Sequence, residues 1–155
     1  MTQTSSILCV CLGNICRSPL AEAALRDAAE QAGVNILVDS AGTGDWHIGH
    51  PPDARAQDVA LRLGGLDIGN LQGRQVRPGD FQRFHHILAM DSANLRHLHS
   101  MRPDGATAGL SLLLDHLPGH EGKSVADPYY GEMADFELCW RQVSAAAAAF
   151  IESLD

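Results

Sequence analysis

The segment Cys11-Leu12-Gly13-Asn14-Ile15-Cys16-Arg17-Ser18-Pro19 sets a thiol and a guanidinium six positions apart. Five residues between them can curl the backbone into a cup with its N–H groups inward, and Gly13 and Asn14 are expected to supply the left-handed conformations that such a cup needs. An anion fits it. The amides of Leu12, Gly13, Asn14, Ile15, Cys16, Arg17 and Ser18 would surround phosphate oxygens, and the planar fork of Arg17 would contact two of them at once, which a lysine ammonium does not. Cys11 would share the field of Arg17 and of a following helix N-terminus, a setting in which thiols ionise readily and act as nucleophiles. Ser18 can donate to the Cys11 sulfur, a role compatible with that of a helix-capping hydroxyl.

Other uses of these residues are weaker. A cysteine is often a buried apolar side chain, and Cys9, which alternates into an apolar run, keeps that reading. No Cys-x-x-Cys pair occurs and Cys139 is far along in a helical stretch, which disfavours zinc; no Gly-Lys-Ser/Thr follows a glycine loop, which excludes a Walker motif. The eight histidines are not assigned to metal. His85 and His86 point to opposite sides of a strand, and His97 and His99 do not share a helix face. The chain calls for no cofactor.

The elements that must position the cup follow from the apolar pattern. Strands are predicted at Ile7–Cys11, Ile36–Val38, His86–Met90 and around Leu110–Leu114. Helices are predicted at Pro19–Ala32, Asp53–Leu63, Ser92–His99 and Asp135–Leu154, with a weaker one at Pro78–Phe84. This alternation predicts an α/β fold with a parallel sheet covered on both faces, hence three layers, and a ligand crevice beyond the carboxyl ends of the strands, where Cys11 lies. The 155 residues, 45% hydrophobic, suit one domain over 1–155, with residues 1–5 a short polar start expected to fray. A net charge of −8 argues against nucleic acid and anionic membrane as partners, so anion recognition must be local. Four cysteines without a disulfide framework, no signal peptide and no apolar run of membrane length point to a reducing, cytoplasmic setting.

Ile7-Leu8-Cys9-Val10-Cys11 with its loop, Asp39-Ser40-Ala41-Gly42-Thr43, Asp53-Ala54-Arg55-Ala56 and Asp127-Pro128-Tyr129-Tyr130-Gly131 together resemble the low-molecular-weight protein tyrosine phosphatases over nearly the whole chain. The resemblance implies a four-stranded parallel sheet and metal-independent hydrolysis of phosphotyrosine in proteins, and of small aryl phosphates, through a phosphocysteine at Cys11. It makes Asp127 the acid that protonates the leaving phenolate and then the base that activates water, a role for which burial or a nearby phosphate must help it keep a proton. Taken alone, Asp-Pro is a turn. It makes Ser40 the partner of Asn14 in holding the loop, and Trp46, Tyr129 and Tyr130 the walls of a deep slot that admits a tyrosyl phosphate and leaves a phosphoserine short of the thiolate.

Ile15 stands where related phosphoarginine phosphatases carry threonine, which favours phosphotyrosine. Cys16, beside Cys11 if the cup forms, is either loop packing or a trap for oxidised Cys11 as a reversible disulfide. Leu71 replaces a histidine that many members use to tie the loop base to carboxylates, so Glu22 and Asp39 are expected to be paired differently here. The alternatives are a phosphoarginine phosphatase, a thiol-dependent arsenate reductase, disfavoured because no cysteine lies between Cys16 and Cys139, and a phosphate-binding module without turnover. The physiological substrate and the oligomeric state are not readable from the chain.

Overall fold

In the computed structural model, which describes residues 4–154, the elements run β1 (Ser5–Cys11), α1 (Arg17–Ala32), β2 (Ile36–Gly42), α2 (Ala54–Gly64), α3 (Asp80–Arg83), β3 (His86–Ala89), α4 (Ser92–Met101), β4 (Gly109–Leu112), a 3-10 turn (Leu113–His116) and α5 (Met133–Ser153). The four strands form one parallel sheet in the order β2-β1-β3-β4. The expected α/β class and four-stranded sheet are what the fold contains. The expectation for the polar start falls partly on residues 1–3, outside the described residues, and Ser5 already pairs with Ile36.

Period-2 alternation divides β1 between two apolar layers. Ile7, Cys9 and Cys11 face the layer containing α1, α2 and α5, whereas Leu8 and Val10 face the side with Phe81 from α3, Phe84 just after it and Leu98 from α4. Cys9 is fully buried in the first layer, in keeping with its structural reading.

Several boundaries differ from the pattern, each for a local reason. Strand β2 continues past Val38 through Asp39 and Ser40, because its backbone pairs with β1 as far as Cys11 with Gly42 whatever the side chains. Strand β4 stops at Leu112, because the Asp115 carboxylate accepts the Leu112 N–H at 3.0 Å and the Gly122 N–H at 2.8 Å and draws the chain into the 3-10 turn. Helix α1 starts at Arg17, two residues before Pro19, so Arg17 and Ser18 sit in the first helical turn. Helix α5 begins at Met133, where Asp135 accepts the Glu132 N–H at 2.8 Å.

The chain leaves β1 toward β2 on one side and later returns to β3 on the other. The carboxyl ends of β1 and β3 therefore flank the switch point of the sheet, where open α/β folds bind ligands. The loop Leu12–Cys16 follows β1, and Asp91 follows β3.

Candidate active site

The loop after β1 is shaped by one backbone feature. Asn14 has φ 57°, the only positive value at a non-glycine among the described residues, and asparagine tolerates this left-handed region better than most residues. Gly13 does not share it: the expectation of two left-handed residues is corrected to one, and Gly13 instead leaves room for His47, whose ring would lie 3.2 Å from a Cβ there. Gly42 is required by a closer approach, since a Cβ would stand 2.8 Å from the Leu12 carbonyl oxygen. The backbone after β2 is tied to the loop by Thr43 N–H on Cys11 O and Gly44 N–H on Leu12 O, both 2.9 Å.

Asn14 organises the loop through every polar atom of its side chain. Its Nδ2 donates to Ser18 Oγ at 2.8 Å and to Ser40 Oγ at 2.9 Å, its Oδ1 accepts the Arg74 N–H at 3.0 Å, and its own N–H reaches Cys11 Sγ at 3.2 Å. Because Ser18 Oγ already accepts from Asn14, its proton is left for Cys11 Sγ, 3.0 Å away. Ser40 Oγ accepts from Asn14 and donates to Glu22 Oε1 at 2.7 Å. Burial pushes the Glu22 carboxyl above its usual range despite the hydrogen bonds from Arg26 and Ser40. Leu71 packs half-buried against the core, and the two carboxylates have arginine partners: Glu22 with Arg26 at 2.8 Å and Asp39 with Arg74 at 3.0 Å. Arg74 also grips the buried Asp80 with both terminal nitrogens, at 3.0 and 3.2 Å.

Cys11 is 3% and Arg17 2% exposed. Arg17 Nη1 donates to Asp91 Oδ2 at 2.7 Å and to the Val125 carbonyl at 2.9 Å, and Nη2 faces Asp127 Oδ2 at 3.6 Å. Burial works against the guanidinium charge, but the Cys11 sulfur, Asp91 and Asp127 outweigh it and hold Arg17 above its ordinary value. Asp127 ends in a tight turn: its Oδ1 accepts the Tyr129 N–H at 3.1 Å, and the Pro128 carbonyl accepts the Gly131 N–H at 2.8 Å. The Asp127 side chain is 41% exposed, so the burial expected for it is lacking.

These groups open into a cavity of about 420 Å³. Cys11, Leu12, Gly13, Ile15, Cys16 and Arg17 form its floor, and Trp46, His47, Asp127, Tyr129 and Tyr130 rise around it. The three aromatic residues expected as walls do line it. They stand open, however, with Trp46 64% and Tyr130 96% exposed.

Cys16 is buried, and burial together with the negative charges of Asp53, Cys11 and Asp127 pushes its thiol far up. Helix α5 brings Cys139 into the same apolar layer, where burial raises its thiol to about 12. Remote in sequence, Cys139 is within electrostatic reach of Arg17, Cys11 and Asp127.

Sequence reasoning missed Asp91, His47 and Arg74. Asp91 carried a usable signal, since it follows a strand end and caps α4, accepting the Asn94 N–H at 2.7 Å. His47 and Arg74 had none, because loop packing alone brings them here.

Compared with known proteins, residues 6–155 match the family model described as low molecular weight phosphotyrosine protein phosphatase. The low molecular weight phosphotyrosine protein phosphatase of Schizosaccharomyces pombe is 40% identical, with 99% of each chain covered. The crystal structure of Primo-1 superposes with a TM-score of 0.91 at 38% identity, covering 96% of this chain and 97% of that one. The crystal structure of DARP, a Drosophila arginine phosphatase, superposes with a TM-score of 0.88 at 34% identity, covering 95% and 96%.

Proposed function

Because the chain belongs to the low molecular weight phosphotyrosine protein phosphatase family, we propose that Cys11, Arg17 and Asp127 carry its catalytic cycle. The protein is a phosphoric monoester hydrolase that removes phosphate from phosphotyrosine through a phosphocysteine, and its substrates are phosphoproteins. The Cys11 sulfur attacks phosphorus in line as the bond to the tyrosyl oxygen breaks, and Asp127 gives that oxygen its proton. The loop amides and Arg17 hold the three equatorial oxygens while charge spreads over them. Water then attacks the phosphocysteine and loses its proton to Asp127, and the P–S bond breaks to return a thiolate that accepts a hydrogen bond from Ser18.

The observation that carries this assignment is the meeting, in one cavity, of a buried sulfur held by Ser18 and Asn14 with an arginine set between Asp91 and Asp127. Asn14 and Ser40 support the loop, and Trp46, Tyr129 and Tyr130 take the phenyl ring with Ile15 as an apolar contact at its base. No helix among the described residues is long and apolar enough to cross a membrane. A cytoplasmic setting is supported by four cysteines that form no disulfide.

Two variants test the assignment. Cys11→Ser is expected to bind vanadate without turnover, because serine is not ionised at neutral pH. Asp127→Ala is expected to lose about 10²–10⁴-fold in kcat/KM on phosphotyrosine and far less on p-nitrophenyl phosphate, whose leaving group needs little proton help. Appreciable hydrolysis by Cys11→Ser, or an equal loss on both substrates by Asp127→Ala, would overturn the respective role.

A further inference from the structure

We propose that Arg55 is a positioning residue for the acid loop, holding Asp127 and Tyr129 in register with the phosphate loop; this rests on the assignment of Asp127 as the acid.

One helix start carries both attachments. Asp53, which caps α2, sends its backbone N–H to the Ile15 carbonyl of the phosphate loop at 2.8 Å. Its carboxylate is bound in a fork by Arg55, Nε to Oδ1 and Nη2 to Oδ2, both 3.0 Å, and it also accepts the Arg55 N–H at 2.8 Å. The hydrogen bonds from Arg55 keep Asp53 below the usual carboxylate range, so the fork is intact at neutral pH.

The other edge of the same guanidinium faces the acid loop. Nη2 donates to the Tyr129 carbonyl at 3.0 Å and Nη1 to the Gly131 carbonyl at 3.5 Å. The guanidinium carbon lies 5.6 Å from the centre of the Tyr129 ring and 4.5 Å from that of Phe136, at the start of α5. Arg55 thus grasps the turn two and four residues past Asp127, and that turn holds the Asp127 carboxylate through the Tyr129 N–H.

The Asp127 carboxylate is otherwise half-exposed, its one ionic neighbour among the described residues being Arg17 at 3.6 Å, so the turn itself must set the distance from the acid to the leaving oxygen. Proton transfer needs that distance within hydrogen-bond reach. Lysine cannot do this work: its ammonium has no planar fork to span a carboxylate and two carbonyls.

The test measures kcat/KM for Arg55→Ala and Arg55→Lys over aryl phosphates of rising leaving-group basicity, with Asp127→Ala alongside. This constant covers the steps through departure of the leaving group. Both Arg55 variants are expected to lose about 10-fold on phosphotyrosine, a part of the general-acid contribution, and under about 3-fold on p-nitrophenyl phosphate. Vanadate inhibition and the rate of Cys11 alkylation by iodoacetamide should stay near wild type, which a collapsed loop would not allow. A uniform loss across the series, or no loss, in both Arg55 variants while Asp127→Ala steepens the series overturns the inference. A flat series for Asp127→Ala overturns the acid assignment beneath it.

Discussion

Replacing Asn14 separates what its backbone does for the site from what its side chain does. Asn14→Gly keeps the left-handed conformation and removes three hydrogen bonds, those to Ser18, Ser40 and the Arg74 N–H. The two hydroxyls keep their other partners, Cys11 and Glu22, so each loses one accepted bond, about 0.5–1.5 kcal/mol; the Arg74 N–H is left without this acceptor at about 1–3 kcal/mol. The expected destabilisation of Asn14→Gly is about 2–6 kcal/mol. Asn14→Ala adds a left-handed penalty of about 1–2 kcal/mol, partly offset by the extra freedom glycine has in the unfolded chain, so it should be about 1 kcal/mol less stable still. Activity should follow the hydrogen bonds. Once Asn14 no longer donates to Ser18, the hydroxyl that donates to Cys11 is not oriented. A bond to the sulfur as it leaves phosphocysteine as a charged thiolate is worth about 1.5–3 kcal/mol, so both variants should lose roughly 10–150-fold in kcat. Urea midpoints and kcat on p-nitrophenyl phosphate measure the two effects. If Asn14→Gly turned over substrate within about 3-fold of wild type, the loop would need only its backbone shape, and the orienting role of the amide would be refuted.

Three further outcomes follow. Burial lowers both His86 and His116, whose rings meet Phe150 edge-on at 5.2 and 4.8 Å. The unfolded chain binds more protons than the folded one between the depressed folded values and about 6.5, so this stability is present above that pH and lost as pH falls through the folded values. Urea midpoints should drop from about pH 7 to about pH 5, and less steeply in His116→Gln; an unchanged slope would remove His116 from the linkage. The raised carboxyl of Glu22 acts in the opposite sense, its contribution being present at low pH and lost as pH rises, so Glu22→Gln should steepen the acid loss. Ile15→Thr is expected to raise kcat/KM on phosphoarginine relative to phosphotyrosine, because a hydroxyl can bond near the guanidinium–phosphate linkage that the apolar side chain leaves unserved; a wild type that already prefers phosphoarginine would overturn the phosphotyrosine reading.

The parts of the site written in neighbouring residues were legible. Cys11, Arg17 and Ser18 lie on one loop between a strand and a helix, so spacing alone brings them together. Ser40 and Asp127 needed the family resemblance, because a turn serine and an Asp-Pro have common structural uses. Arg55 was visible as part of a motif, but the role proposed for it depends on the Tyr129 and Gly131 carbonyls coming within reach of its guanidinium, a tertiary fact. The replacement of a histidine by Leu71 was legible as a departure, whereas its consequence was not. Which arginine would take Asp39 is decided by the approach of residues 74–75 to the end of β2, where Gly42 N–H meets the Arg74 carbonyl at 2.8 Å.

The charge of the chain sharpens the case for a local site. A protein at −8 repels a phosphate dianion at long range, so attraction has to come from groups that act within a few ångströms and are shielded from water. Arg17 meets that need with its two ends differently engaged. Nη1 is fixed by Asp91 and the Val125 carbonyl at hydrogen-bond distance, which orients the fork, while Nη2 meets Asp127 only at 3.6 Å, beyond a good hydrogen bond. An arriving phosphate therefore competes for Nη2 against a weak, solvent-screened contact, and Asp91 stays in place.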